Sequence, residues 1–207
     1  MDFSETTDNA TGNFPHKQKC RVLIVGCGNS RLGEDMMKDG WLGGITNIDF
    51  SSVVIEQMKE RYNDSLYRKI HNEQKRRQKQ SEEFPGLEHI QEDRSRQIPR
   101  MFFECADVTK GLSYSNESFD LILCKGTLDS LLCSSGACLK SKQMMNECNR
   151  LLNRNHGVLF VISHGAPDNR LVYFENEGSE WWRKIDIHKV PKRRQGNALV
   201  EGANYSK

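Results

Sequence analysis

No run of about 18 apolar residues occurs in this chain of 207 residues, so no transmembrane helix is expected. The first 20 residues, MDFSETTDNATGNFPHKQKC, hold no apolar core of the kind a secretory signal needs. Together these absences lead to the expectation of a cytoplasmic protein away from membranes. Cys-x-x-Cys pairs are also missing, and the cysteine count of seven is odd. Neither a disulfide framework nor a zinc site with paired ligands is expected from that pattern. Cys20, Cys27, Cys105, Cys124, Cys133, Cys138 and Cys148 read instead as reduced thiols, several of them small hydrophobes within apolar runs. Charge of one sign is scarce as well. Thirty Lys and Arg against 28 Asp and Glu leave a net +2, which does not by itself imply a nucleic-acid partner. No internal repeat is visible.

What the chain does contain suits one domain with a sizeable core. Hydrophobic residues make up 36%, charged residues 28%, and the mean hydropathy is -0.70. Much of that polarity sits in one stretch at about 63–100, where Lys75-Arg76-Arg77-Gln78-Lys79 is followed by Ser81-Glu82-Glu83. The acidic residues Glu82, Glu83, Glu88, Glu92 and Asp93 offset its basic run, so it reads as a solvated insertion rather than an RNA-binding patch. The expected organisation is a flexible N-terminal tail over 1–19, a domain over 20–190 interrupted by that insertion, and an irregular C-terminal tail over 191–207.

Within the domain, short apolar runs alternate with segments of helical spacing. Arg21-Val-Leu-Ile-Val25 predicts a buried strand that ends in the turn Gly26-Cys-Gly28-Asn-Ser30. Leu32, Met36 and Met37 predict a helix closed at Gly40. Ile45 to Phe50 predicts a second strand, and Ser51 is the expected cap of a helix with Val54, Ile55, Met58 and Tyr62 on one face. Met101 to Ala106, Phe119 to Cys124 and Val158 to Ile162 predict three more strands, with helices over 128–132 and 141–152 and a last strand near 184–190. Such alternation implies an α/β fold with a mainly parallel sheet. In such sheets ligands gather at the carboxyl edge, where Asp49, Asp107 and Lys125 all fall.

The glycine turn allows a ligand to approach the backbone closely. A dinucleotide fingerprint needs a third glycine for tight helix packing, but Arg31 stands at that position and Gly33 comes two residues late. A pyrophosphate cofactor is therefore disfavoured, and a cofactor with ribose and adenine but no pyrophosphate fits better. Asp49, at the end of the second strand, can accept both hydroxyls of a ribose diol. Phe50 can pack on adenine, Asp107 can accept from its amino group, and the Val108 amide can donate to a ring nitrogen. Asp49 also has an ordinary structural reading as a strand-end turn residue, and Phe50 as a core aromatic.

The runs Val25-Gly-Cys-Gly-Asn-Ser30, Ile48-Asp-Phe-Ser-Ser-Val-Val54 and Phe119-Asp-Leu-Ile-Leu-Cys-Lys-Gly-Thr-Leu-Asp-Ser130 together resemble class I methyltransferases. The Lys-Gly-Thr-Leu-Asp segment is similar to the eukaryotic branch containing methyltransferase-like protein 13, several members of which methylate translation elongation factor 1-alpha on lysine or at its N-terminus. The resemblance covers about 21–190. It implies a Rossmann-like class I methyltransferase using S-adenosylmethionine. Gly26, Cys27, Gly28 and Asn29 would then line the methionine part, Asp49 the ribose, and Phe50, Asp107 and Val108 the adenine. Lys125, Thr127 and Asp129 would orient the acceptor, with Lys125 also near the cofactor. The family usually has an acidic residue where this chain has Cys124. No apolar run remains within 201–207 for the usual last strand, so the final strand is expected to be missing. The implied acceptor is a protein lysine, possible partners including elongation factor 1-alpha. A small-molecule methyltransferase and a non-catalytic or truncated Rossmann-like binding module stay open as alternatives. His164, after the fifth strand, is a further polar residue near the acceptor side.

Overall fold

In the computed structural model, the described residues are 14–63, 101–174, 182–190 and 204–206. The expected insertion therefore lies, after its first residue, outside the described residues, as do 1–13 and most of the C-terminal tail. The elements run β1 (Val22–Val25), α1 (Leu32–Lys38), β2 (Ile45–Asp49), α2 (52–63), β3 (Met101–Cys105), β4 (Leu121–Lys125), α3 (Thr127–Leu132), α4 (Ala137–Leu151), β5 (Val158–Ile162), α5 (Asp168–Leu171), β6 (Asp186–His188) and β7 (Asn204–Ser206).

Five strands form one parallel sheet in the order β3-β2-β1-β4-β5. All of β1 and β2 is buried, because a central parallel strand is covered on both faces; β1 is apolar throughout, while β2 buries Thr46, Asn47 and Asp49 beside its two isoleucines. Successive residues of β1 feed opposite faces. Leu23 and Val25 join Ile122, Leu128, Met144, Met145, Cys148 and Leu151 beneath α3 and α4. Val22 and Ile24 join Cys20, Ile45, Ile55 and Met101, against which Leu32, Met36 and Met37 of α1 and Tyr62 of α2 pack. Ser51 caps α2 as expected, its hydroxyl accepting the Val54 amide at 3.4 Å. From β1 the chain steps outward to β2 and β3, then returns to place β4 on the other side of β1. That reversal opens a crevice at the carboxyl ends of β1 and β4.

Three local differences from the sequence-based expectations have physical causes. Phe119 is not in β4; it makes an isolated bridge to Leu152, and the strand begins at Leu121. Asp120, at the entry to the strand, is occupied by the amide and guanidinium of Arg21. The end of the expected N-terminal tail is tied down. Lys17 pairs with Asp39 at 2.9 Å, the Leu42 amide donates to the Lys17 carbonyl, and Phe14 meets the His156 ring edge-on at 6.3 Å. The C-terminal tail, expected to be irregular, carries β7, which pairs antiparallel with β6 in a separate two-stranded sheet and adds no strand to the main sheet. Short polar strands such as Asn204–Ser206 lack the apolar run by which buried strands are read. Among the described residues no helix is long and apolar enough to cross a membrane.

Candidate active site

At the end of β1 the chain must turn sharply, and two glycines make it possible. Gly26 has φ +63°, and a Cβ there would lie 2.2 Å from Thr127 Oγ1, so both backbone and space require glycine. Gly28 has φ +51° with nothing within 4 Å of where its Cβ would be, which leaves room beside the turn. Cys27 between them turns its side chain into the apolar cluster under α1 and α2. Burial, followed by the nearby Asp49 charge, pushes its thiol up to about 11. Cys27 thus offers only its backbone to a ligand. Gly33 supplies the close helix–strand approach that the sequence lacked at position 31: a Cβ on it would lie 3.0 Å from Asn47 Oδ1.

Asp49 closes β2 and reaches back to the turn. Its Oδ2 accepts the Gly28 amide at 2.9 Å and its Oδ1 accepts the Ser51 amide at 3.0 Å. Each carboxylate oxygen keeps capacity for a further donor. The adjoining Phe50 is 81% exposed, so it is not a core aromatic. Beside it, the Ala106 amide donates to the Asp49 carbonyl, which brings the start of the β3 exit loop to the same edge. Asp107 Oδ1 accepts the Thr109 hydroxyl at 2.7 Å and the Thr109 amide at 3.0 Å. The Thr109 hydroxyl leads the causes that hold the Asp107 carboxyl below its usual range. Asp107 therefore caps the short 3-10 turn Val108–Lys110, while the Val108 side chain is buried.

On the other side of β1, Lys125 ends β4 with its side chain exposed. The Gly126 amide donates to Ile162 O at 2.9 Å, and Thr127 Oγ1 donates to Val25 O at 2.8 Å. Thr127 does not cap α3 with its hydroxyl; that group ties α3 to the end of β1. Asp129, one turn on, is the centre of a polar node. Its Oδ1 accepts from Ser163 Oγ at 2.6 Å and Arg170 Nη2 at 2.9 Å, and its Oδ2 accepts the His164 amide at 3.0 Å. Arg170 Nε also donates to Ser163 Oγ at 2.8 Å. Burial pushes the Asp129 carboxyl up, but the hydrogen bonds from Ser163, His164 and Arg170 outweigh it and hold it at about 2. The His164 ring is largely exposed, its Nδ1 lying 3.5 Å from Asp129 Oδ2. Next to this node a cavity of about 220 Å³ is lined by Leu159, Val161, Arg170, Phe174 and Trp182, among others.

The structure thus brings Gly26, Cys27, Gly28, Asn29, Asp49, Phe50, Asp107 and Val108 to the carboxyl edge on one side of the crevice, and Lys125, Thr127 and Asp129 to the other. Three site residues escaped the sequence reading. Ser163 and Arg170 lie 34 and 41 residues from Asp129, and only the fold shows that they meet it. Arg61 is the third: its guanidinium contacts the carbonyls of Asn29 and Ser30. A ligand with a diol and a flat ring fits this edge: a carboxylate with spare acceptor capacity, an exposed aromatic and an open glycine turn stand side by side.

The sequence model of a family described as a methyltransferase domain matches residues 23–161. Among curated relatives, the eEF1A lysine and N-terminal methyltransferase of Xenopus laevis is 30% identical over 192 residues, which cover 91% of this chain and 22% of that protein. The EEF1A lysine methyltransferase 4 of Bos taurus is 29% identical over 169 residues, covering 78% of this chain and 52% of the relative. The chain thus spans from about a fifth to about half of the length of these relatives. Among solved structures, a SAM-dependent methyltransferase from Methanosarcina mazei is similar at 18% identity and a TM-score of 0.47, over 77% of this chain and 59% of its own.

Proposed function

This chain belongs to the methyltransferase domain family, and from that premise we propose that it transfers a methyl group from S-adenosylmethionine to a lysine amine of a protein substrate in the cytoplasm. The first substrate to test is translation elongation factor 1-alpha, because relatives similar over 78–91% of this chain carry that substrate in their names.

The observation that carries the reading is the junction of Gly26 with Thr127. The glycine turn and the first turn of α3 are packed so closely that no side chain fits between them. A cofactor laid along the turn and Asp49 therefore ends where the end of β4 and the start of α3 present Lys125, Thr127 and Asp129. In this reading Gly26, Gly28, Asn29 and the Cys27 backbone border the methionine part. Asp49 accepts the ribose hydroxyls, Phe50 covers one face of adenine, and Asp107 and Val108 meet its edge.

The cofactor supplies a methyl group already activated on a positively charged sulfur. The residues of the chain then have to orient an acceptor and exclude water. Asp129 is held ionised at about 2 and already accepts three hydrogen bonds, so it is a poor proton acceptor near neutral pH. Its role is that of a fixed acceptor that orients the neutral amine, whose proton goes to solvent before transfer. Lys125 borders the same opening from the end of β4, and Thr127 keeps the two halves in register.

The test is a calorimetric titration with S-adenosylmethionine, on the wild type and on Asp49→Ala, followed by incubation with labelled cofactor and elongation factor 1-alpha. Binding of about -8 kcal/mol, a micromolar constant, lost in the variant, is the expected result, with label mapped to a lysine. A folded wild type that binds no cofactor overturns the proposal. Binding without label on elongation factor 1-alpha removes that substrate and leaves a methyltransferase of other acceptors.

A further inference from the structure

Arg61 lies near the end of the described part of α2, the helix that follows Asp49, yet its side chain serves the glycine turn. Arg61 Nε donates to Glu34 Oε1 at 2.7 Å, Nη1 to Asn29 O at 3.0 Å and Nη2 to Ser30 O at 2.9 Å. One guanidinium thus joins three elements: α2, the turn after β1, and α1 through Glu34. The Glu34 side chain is only 10% exposed and that of Arg61 34%, so the pair is partly withdrawn from water, where charge-assisted hydrogen bonds count for more than at the surface. Arg31 adds a looser contact, its Nε standing 3.5 Å from Glu34 Oε2.

A guanidinium is flat and its donors are fixed in direction. It meets two carbonyls and a carboxylate at once only when all three are set around its edge. A trans peptide unit is planar, with N–H and C=O pointing in opposite directions. Holding Asn29 O and Ser30 O toward α2 therefore fixes the Ser30 and Arg31 N–H groups on the other side of the chain. The Ser30 amide is in fact used there, donating to Cys27 O at 3.2 Å. From the sheet side the same turn is held by the Gly28 amide on Asp49 and the Cys27 amide on Ile48 O, both at 2.9 Å. The turn is gripped from two directions, and on the α2 side, among the described residues, by Arg61.

We infer that Arg61 is a positioning residue for S-adenosylmethionine. Its action is through the backbone that it holds. It sets the backbone of Asn29 to Arg31 in the binding shape beforehand, so that affinity is not lost to ordering the turn on binding. The inference rests on the cofactor reading above.

The test compares wild type, Arg61→Ala and Arg61→Lys by titration with S-adenosylmethionine, well below the unfolding temperature of each. Amide hydrogen exchange of the ligand-free proteins is measured alongside. The expected result is a Kd raised about tenfold in Arg61→Ala. Arg61→Lys should fall near the Ala variant, because an ammonium does not span three acceptors in a plane. Amides of residues 27–31 should exchange faster while those of β1 and β4 do not. A residue with only a structural role would lower the unfolding temperature and leave Kd where it was. Wild-type affinity in a folded Arg61→Ala overturns the inference while the cofactor reading stands. A folded wild type that binds no cofactor overturns both. If Arg61→Ala does not fold, the same criterion applies to Arg61→Lys.

Discussion

The hydroxyl of Thr127 donates to the carbonyl oxygen of Val25 at 2.8 Å, across the point where the strand order of the sheet reverses. It adds a side-chain donor to the carbonyl of the last paired residue of β1, and it pins the start of α3 over Gly26. The donor and acceptor halves of the proposed site share that one contact.

This relationship predicts a specific pattern of stability losses. Gly26→Ala carries two costs: a left-handed backbone, roughly 1–2 kcal/mol for a residue with a side chain, and a Cβ 2.2 Å from Thr127 Oγ1. Thr127→Gly loses that hydrogen bond, at about 1 kcal/mol, and costs about 1 kcal/mol more as a helical glycine. In the double variant Gly26→Ala/Thr127→Gly the steric cost disappears but the backbone cost remains. Urea unfolding of the four proteins should therefore show a non-additive cycle, the double variant being more stable than the sum of the single losses. Strict additivity would mean that the two residues do not meet as described.

How much of this was legible beforehand depends on the distance over which each feature is encoded. Val22–Val25 and Val158–Ile162 announce themselves as short unbroken apolar runs, while Gly26 follows β1, Asp49 ends β2 and Lys125 ends β4. The carboxyl-edge placement of Asp49 and Asp107 follows from the same local grammar. Gly33 shows where such grammar misleads. The expected third glycine is displaced by two residues, yet the helix still approaches Asn47 closely because the turn is longer. Ser163 and Arg170 are different in kind. Nothing near them in the chain says that a carboxylate on α3 will reach them, since that contact exists only once β5 pairs with β4. β7 is invisible for a third reason, because three polar residues pairing outside the main sheet leave no hydrophobic period.

The node around Asp129 predicts a separation of binding from transfer. Arg170→Ala removes the donor to Asp129 Oδ1 and the donor to Ser163 Oγ together. The Asp129 carboxyl should then rise from about 2 toward the ordinary range, by roughly one unit, which carboxyl-selective NMR titration reads directly. Arg170 makes no contact with the glycine turn, so the affinity for S-adenosylmethionine should stay at the wild-type value. The transfer rate to the acceptor should fall by about tenfold if a fixed Asp129 orients it. A loss of cofactor affinity with an unmoved carboxyl would place Arg170 in a different role.

At the opposite end of the sheet, Asp120 sets a stability limit in acid that should be independent of the site. Its Oδ2 accepts the Arg21 amide at 2.9 Å and Nε at 3.1 Å, while Oδ1 meets Arg21 Nη2 at 2.9 Å and His156 Nε2 at 3.0 Å. Burial pushes the carboxyl up, but the side-chain and backbone hydrogen bonds of Arg21, with that of His156, prevail and hold it at about 2. An unfolded Asp titrates near 3.9. A depressed carboxyl stabilises the fold fully above the unfolded value, and the contribution is lost as pH falls through the folded one. Its size is of order 2 kcal/mol, lost between about pH 4 and pH 2. Other carboxylates, Asp129 among them, titrate in the same window, so the informative quantity is the difference between wild type and Asp120→Asn. That difference should be constant above about pH 5 and shrink toward pH 2. Because β1 and β4 separate Asp120 from the carboxyl edge, the variant should bind S-adenosylmethionine like the wild type at neutral pH. Parallel stability curves across the acid range would show that the Arg21–Asp120 pair adds nothing that depends on its charge.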